Sequence, residues 1–289
     1  LNDGEIINDP ARVCNDFNDF FCNVAADIGS EKNQSVGDSI ESIVNSFHDH
    51  NSIKVIARQN LTIKDFSFKE VSTEQVYSLL SKLDAHKATG YDNIPSKLLC
   101  VAAYELCTPI TSLVNLSIRQ SEFPDQLKRA EVSPIYKSKD NLQRGNYRPV
   151  SILTSISKIF ERVYHDQLYE YFNGILSVLL AAFRKNYSCQ HVLTKLVEDS
   201  KAALDRHKNV GLIFIDLSKA FDSLPHRLLL SKLNSYGVSL NACELLHSYM
   251  CERKQRVKMG ANRSDWAAVN KGVPQGSILG PLLFNIFIN

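Results

Sequence analysis

Val210-Gly211-Leu212-Ile213-Phe214-Ile215-Asp216 is a short apolar run closed by a carboxylate, and Leu217-Ser218-Lys219-Ala220-Phe221-Asp222 follows at once. A run of this length and composition reads as a strand covered on both faces or packed under helices. An acid at the end of such a strand is costly unless something neutralises it. A divalent cation would do so, and hard oxygen ligands suit Mg²⁺. The competing reading makes Asp216 a cap for a helix beginning at Leu217, and on local pattern alone the cap is favoured. Asp222 lies beyond the end of the run, so paired acid–base chemistry between these two carboxylates is not expected.

Working outward, helical periodicity covers 155–171, 189–207 and 225–251, with strand-like segments at 255–259 and 266–270 joined by Gly260-Ala261-Asn262-Arg263. A Gly/Pro turn at 272–276 then leads into an apolar helix. Towards the N-terminus, Ala130–Tyr136 alternates as a strand and Asn146–Leu153 is an extended, proline-containing segment. Residues 96–121 read as one helix. Before it, Ser72 offers an N-cap to a helix carrying Val76, Leu79, Leu80 and Leu83, which the turn Ala88–Pro95 ends. There is neither a repeat nor a low-complexity tract. The fold class expected is α+β with helices predominating.

The 289 residues, 44% apolar and 22% charged, describe a folded chain rather than a disordered one. The net charge of +2 hides an asymmetry. Residues 1–60 hold four Lys/Arg against ten Asp/Glu, and 61–289 hold 29 against 21. An acidic lead-in, read as a linker or arm with one amphipathic patch at Phe17, Phe20 and Phe21, precedes a mildly basic domain able to meet a polyanion. Seven cysteines without a CxxC pair and without a secretory leader fit reduced thiols in an intracellular protein. Cys243, His247 and Cys251 share a helical face, but zinc would need a fourth ligand, and small buried residues are the better reading. The longest apolar stretches are too short to span a bilayer, so no membrane segment is expected.

Gly272-Val273-Pro274-Gln275-Gly276-Ser277 is a tight loop before a helix. It suits close approach to an anion, and equally a plain helix start. Lys137, Arg144 and Arg148 around the extended segment suit phosphates, although solvated charge is the usual fate of such residues.

Five segments in order carry a resemblance: Lys87–Pro95, Asn146–Leu153, Ala182–Ser188, Phe214–Asp222 and Gly272–Pro281. Together they resemble the reverse transcriptase domain of non-LTR, LINE-like retrotransposons of the CR1 and jockey type, over about residue 66 to the end. The resemblance implies a right-hand polymerase, with fingers and a partial palm holding a small antiparallel sheet. It places the domain at 61–289 after a connector at 1–60. It implies two-metal transfer of dNTPs to a DNA primer 3′-hydroxyl on an RNA template. Asp216 matches the first Mg²⁺ ligand, with the Leu217 carbonyl nearby, and Phe221 the aromatic gate beneath the nucleotide sugar. Arg148, and less surely Lys137, match triphosphate-holding residues. Gln275 and Gly276 match the loop that positions nucleotide and template. The basic run Arg253–Arg256 suits either nucleic acid or a solvated hairpin edge.

Two departures matter. The family's second metal site, an aromatic-x-Asp-Asp turn, is missing from the chain, which implies two Mg²⁺ in a complete enzyme but an inactive fragment here. At Ala182 the family generally has Gly, so local backbone strain or sequence decay is the expectation there. The resemblance also implies an upstream endonuclease in the parent and nuclear work, although no localisation signal is visible. A decayed, non-catalytic remnant with at most residual RNA binding is the alternative.

Overall fold

A computed structural model describes residues 7–24, 38–59 and 65–289. A helical body dominates. Its helices are α1 (Pro10–Asn23), α2 (Ile40–Asn45), α3 (Asn51–Arg58), α4 (Thr73–Ser81), α5 (Ser96–Val101), α6 (Ala103–Gln120), α7 (Ser155–Phe172), α8 (Cys189–Asp205), α9 (His226–Ser235), α10 (Leu240–Met250) and α11 (Leu279–Ile288). The strands are β1 (Arg129–Tyr136), β2 (Tyr147–Leu153), β3 (Arg253–Met259), β4 (Asn262–Arg263) and β5 (Ala267–Val269).

Local chemistry explains most boundaries. Ser72 and Gln75 form a capping box at α4. The Thr154 hydroxyl accepts from Ser157 N at 3.2 Å and starts α7. Gly237, at φ 88, ends α9, so the stretch 225–251 is two helices rather than one. The 96–121 stretch is likewise broken, at Ala102. Helix α7 buries Ile159, Phe160, Val163, Tyr164, Leu168 and Phe172 against the body, where Phe123 meets Phe160 and Tyr249 edge to face.

The sheet runs β2-β1-β3-β4, and β5 also pairs β3, beside β4 on the edge away from β1. β1 pairs β2 antiparallel but β3 parallel, so the sheet is mixed and not the antiparallel one expected. The strands are far apart in sequence and joined through α7–α10, a connection that permits parallel pairing. Pleating gives the sheet two unlike faces. Val132, Tyr147 and Val257 face α1, where Cys14, Phe17 and Phe21 close a small second core. Opposite them, Glu131, 1% exposed, receives Arg256, Lys258 and Arg263 at 2.6–3.1 Å.

The described parts of 1–60 are more than an arm. α1 packs on the sheet. Ile43 and Ile56 of α2 and α3 enter the main core beside α9, and Arg227 pairs with Asp38 at 2.6 Å. The Asn/Asp/Ser-rich composition obscures a few apolar residues at helical spacing. Residues 1–6, 25–37 and 60 of the expected connector lie outside the described residues.

The largest difference concerns the opening run. Residues 210–217 form no strand, and Ile213, Phe214 and Ile215 are 90%, 83% and 83% exposed. Periodicity reports what a segment can become when a partner is present, and no described strand pairs with this one. Helix α8 forms where expected, yet none of its residues is buried. At Ala182 the expected strain does not fall. The left-handed backbone is at Phe183, φ 55, while Asn285 Nδ2 donates to Ala182 O at 2.7 Å.

Phe17→Ala removes the ring joining Phe21 to Tyr147. It is expected to cost about 3 kcal/mol at the α1–sheet contact. Amide exchange in residues 12–23 then accelerates sharply, whereas α7 and α9 stay protected.

Candidate active site

The glycine-rich loop after β5 is pinned from two sides. Gly272 adopts φ 75 and presses so closely on the Phe221–Asp222 turn that a Cβ would lie 2.5 Å from Phe221 O. Gly272 N donates to Leu224 O at 3.1 Å and Val273 N to Phe221 O at 2.9 Å. Buried His226 lies with Nε2 2.6 Å from Gly272 O. A carbonyl only accepts, so the proton sits on Nε2. Burial above all pulls the His226 pKa down to about 4, aided by His247 and Arg253 and opposed by the Gly272 hydrogen bond. From the other side Ser151 N, on β2, donates to Gln275 O at 2.7 Å, and a Cβ on Gly276 would meet Ser151 O at 2.5 Å.

The first turn of α11 is held by a residue that sequence reasoning missed. Glu161 of α7 is fully buried and accepts from Ile278 N at 2.6 Å and Leu279 N at 3.2 Å. Burial pushes its carboxyl up, while Arg253 and these two amides favour the charged form. The helix start expected to suit an anion therefore already holds one from within the chain. A lone Glu on the apolar face of a predicted helix was the available signal for it.

Beside this loop is a cleft of about 270 Å³, lined among others by Asp222, Gln275, Ser151, Phe21, Arg253 and Lys254. Gln275 Nε2 donates to both Asp222 oxygens at 2.9 Å. Burial raises the Asp222 carboxyl, opposed by that amide and by Lys219. The Phe221 ring stacks on Phe284 at 5.0 Å and meets Phe183 edge-on at 5.7 Å. α1 reaches the same region: Phe20 lies under Lys219 Nζ at 4.3 Å and the Arg144 guanidinium at 5.0 Å, and Arg144 pairs with Asp16.

The structure thus joins Phe221, Gln275 and Gly276, but not all the residues expected at the site. Asp216 and Leu217 sit on the exposed run, whose residues 209–217 make no backbone hydrogen bond to another described residue. Lys137 and Arg148 are exposed on β2 and just past β1, on the Glu131 side of the sheet rather than the α1 side. The basic run divides: Arg253 is buried and donates to Tyr249 O at 3.0 Å, Arg256 binds Glu131 and stacks over Trp266 at 4.5 Å, and Lys254 is exposed.

Among the described residues no group of three His, Cys, Asp or Glu converges on a possible metal position. Asp216 with the Leu217 carbonyl does not by itself fit a two-metal site. Cys243 is a core thiol whose pKa burial lifts to about 12, consistent with a packing role. No described helix is long and apolar enough to cross a membrane.

The Gly-x-Pro-Gln-Gly loop is thus clamped against the Phe221–Asp222 turn that follows the exposed run. The chain belongs to the reverse transcriptase (RNA-dependent DNA polymerase) family, whose model matches residues 135–289. It is 30% identical over 228 residues to a probable RNA-directed DNA polymerase from transposon BS of Drosophila melanogaster. It is also 30% identical over 220 residues to the RNA-directed DNA polymerase from mobile element jockey of Drosophila funebris, and 31% over 216 to that probable enzyme from transposon X-element of D. melanogaster. These matches cover 74–76% of the chain but 24% of each relative, so the chain spans about a quarter of their length. The jockey-type resemblance is borne out.

The His226 geometry has a pH consequence. Its native pKa of about 4 lies below the unfolded value near 6.5, so the unfolded chain binds the proton more readily. The resulting stability is complete above pH 6.5 and is lost as pH falls towards 4, by about 2–3 kcal/mol. His226→Gln, which keeps an N–H donor but does not titrate, is expected to flatten the melting temperature between pH 6.5 and 4 relative to wild type. Parallel curves for the two proteins would contradict the assignment.

Proposed function

We propose that this chain supplies the fingers and part of the palm of an RNA-directed DNA polymerase. That enzyme adds dNTPs to a DNA primer 3′-hydroxyl on an RNA template during retrotransposition. One observation carries the reading: the loop holding Gln275 and Gly276 is bonded to the turn holding Phe221, so two segments fifty residues apart form one wall of a cleft. Next to that wall, which Asp222 lines, the Phe221 ring is held by Phe183 and Phe284 and in this reading is the surface against which the nucleotide sugar rests. Exposed Arg148 and Lys137 are the cations assigned to the triphosphate in this reading, from the Glu131 side of the sheet rather than from this wall.

Asp216 is one carboxylate ligand of the Mg²⁺ pair, with the Leu217 carbonyl beside it. The described residues fall short of that metal site, and the exposed run 212–217 suits a strand whose partner brings the second carboxylate. In this reading 61–289 is the polymerase portion and 1–60 its connector, although α1 to α3 pack on it. The parent works in the nucleus and carries an endonuclease upstream. The exposure of Ile213, Phe214 and Ile215 supports a second reading, a non-catalytic remnant that keeps the fold.

Primer extension on poly(rA)/oligo(dT) with Mg²⁺ and dTTP separates the two. The chain is compared with a version lengthened to match its relatives, each beside Asp216→Ala. The lengthened protein is expected to extend the primer and Asp216→Ala to lower that rate by about a thousandfold or more. Extension that survives Asp216→Ala would sink the assignment, and none in either protein favours the remnant.

A further inference from the structure

Gln275 donates through Nε2 to both oxygens of Asp222, at 2.9 Å each. A carboxylate accepts only, so this contact settles which end of the carboxamide is nitrogen and turns Oε1 away from Asp222. Oε1 makes no hydrogen bond to a described residue, and both side chains line the cleft beside the loop. The backbone beneath them is fixed independently. Val273 N is tied to Phe221 O and Gln275 O to Ser151 N, at 2.9 and 2.7 Å, so the pair is not needed to hold the loop in place.

We propose that Asp222 is a positioning residue, orienting the Gln275 carboxamide so that the cleft presents a hydrogen-bond acceptor to a donor on the incoming nucleotide. This rests on the polymerase reading above. Asp222 touches no substrate itself. Its negative charge sets the polarity of the group that does, and a neutral side chain of the same shape would not. Asparagine at 222 still bonds Gln275, but through either end of its own amide, so the carboxamide is free to turn over and present N–H₂ instead. Such a reversal leaves the packing intact and sets donor against donor in the cleft.

The test is steady-state incorporation of a single dTMP by the polypeptide lengthened to match its relatives, with melting temperature measured alongside. Asp222→Asn is expected to raise KM for dTTP about tenfold, the effect of one misplaced hydrogen bond, with kcat within about twofold and an unchanged melting temperature. The double variant D222N/Q275E restores the acceptor, because the new amide at 222 donates to one carboxylate oxygen at 275 and leaves the other facing the cleft. Its KM is expected to return to within about threefold of wild type. Repeating the series with dideoxy-TTP locates the donor: a KM defect that disappears points to the sugar 3′-hydroxyl, and one that persists points to the base.

An unchanged KM in Asp222→Asn, or a double variant no better than the single one, overturns the proposal. So does a parallel fall in kcat and melting temperature, which would make Asp222 a structural residue. A wild-type protein that extends no primer removes the polymerase reading and this proposal together. Wild-type extension with an indifferent Asp222→Asn removes the proposal alone.

Discussion

The buried Glu161 carboxylate, receiving the amides of Ile278 and Leu279, is the constraint on which the cleft depends. Two backbone N–H groups at the start of α11 need an acceptor in the buried interior, and Glu161 needs donors that favour its charge. Each resolves the other's cost. Once the end of α11 is fixed on α7, the six residues before it must run back past β2 and the Phe221 turn. There is room only for backbone, which is why Gly272 and Gly276 stand where a Cβ would strike Phe221 O and Ser151 O. His226 then closes the loop by donating its Nε2–H hydrogen bond to Gly272 O. The cleft is shaped by hydrogen bonds that lie behind it.

The sheet serves the same end by having two different faces. Its apolar face is closed by Phe17 and Phe21 of α1, which brings Phe20 to the Lys219 ammonium and Arg144. Its other face is organised by Glu131, one carboxylate shared by three cations, so a surplus of positive charge remains beside exposed Lys254 and Arg148. A buried acid answered by several partly exposed bases keeps a basic surface ordered and still attractive to polyanions.

Much of this was legible in the sequence, and the gaps have physical causes. α7 was legible as helical periodicity over 155–171, because periodicity is local, and the structure begins it at Ser155. The alternation of Ala130–Tyr136 gave β1 to within a residue, but its parallel pairing with β3 depends on contacts over a hundred residues apart. Phe221, Gln275 and Gly276 were identified as site residues through the resemblance, and the structure brings them together. Glu161 and His226 were not identified, since a single polar residue within an apolar helical pattern looks the same whether it caps a distant helix or faces water. The run 212–217 has the composition of a covered strand, but a covered strand needs neighbours, and composition cannot supply them. The left-handed backbone lies at Phe183 and not at Ala182, where strain was expected. That fits the order of residues there: Arg184 donates to the carbonyls of Ser177, Leu180 and Asn173, which fixes the chain just after the turn.

Residue-resolved amide exchange tests the central claim most directly, that the loop is a rigid wall built into the core. Gly272, Val273, Ile278 and Leu279 are expected to exchange as slowly as the interior of α7 and α9, through the same cooperative opening. If these four amides instead exchange at the rate of the exposed residues 209–217, the loop is not held from behind and the account of the cleft is wrong.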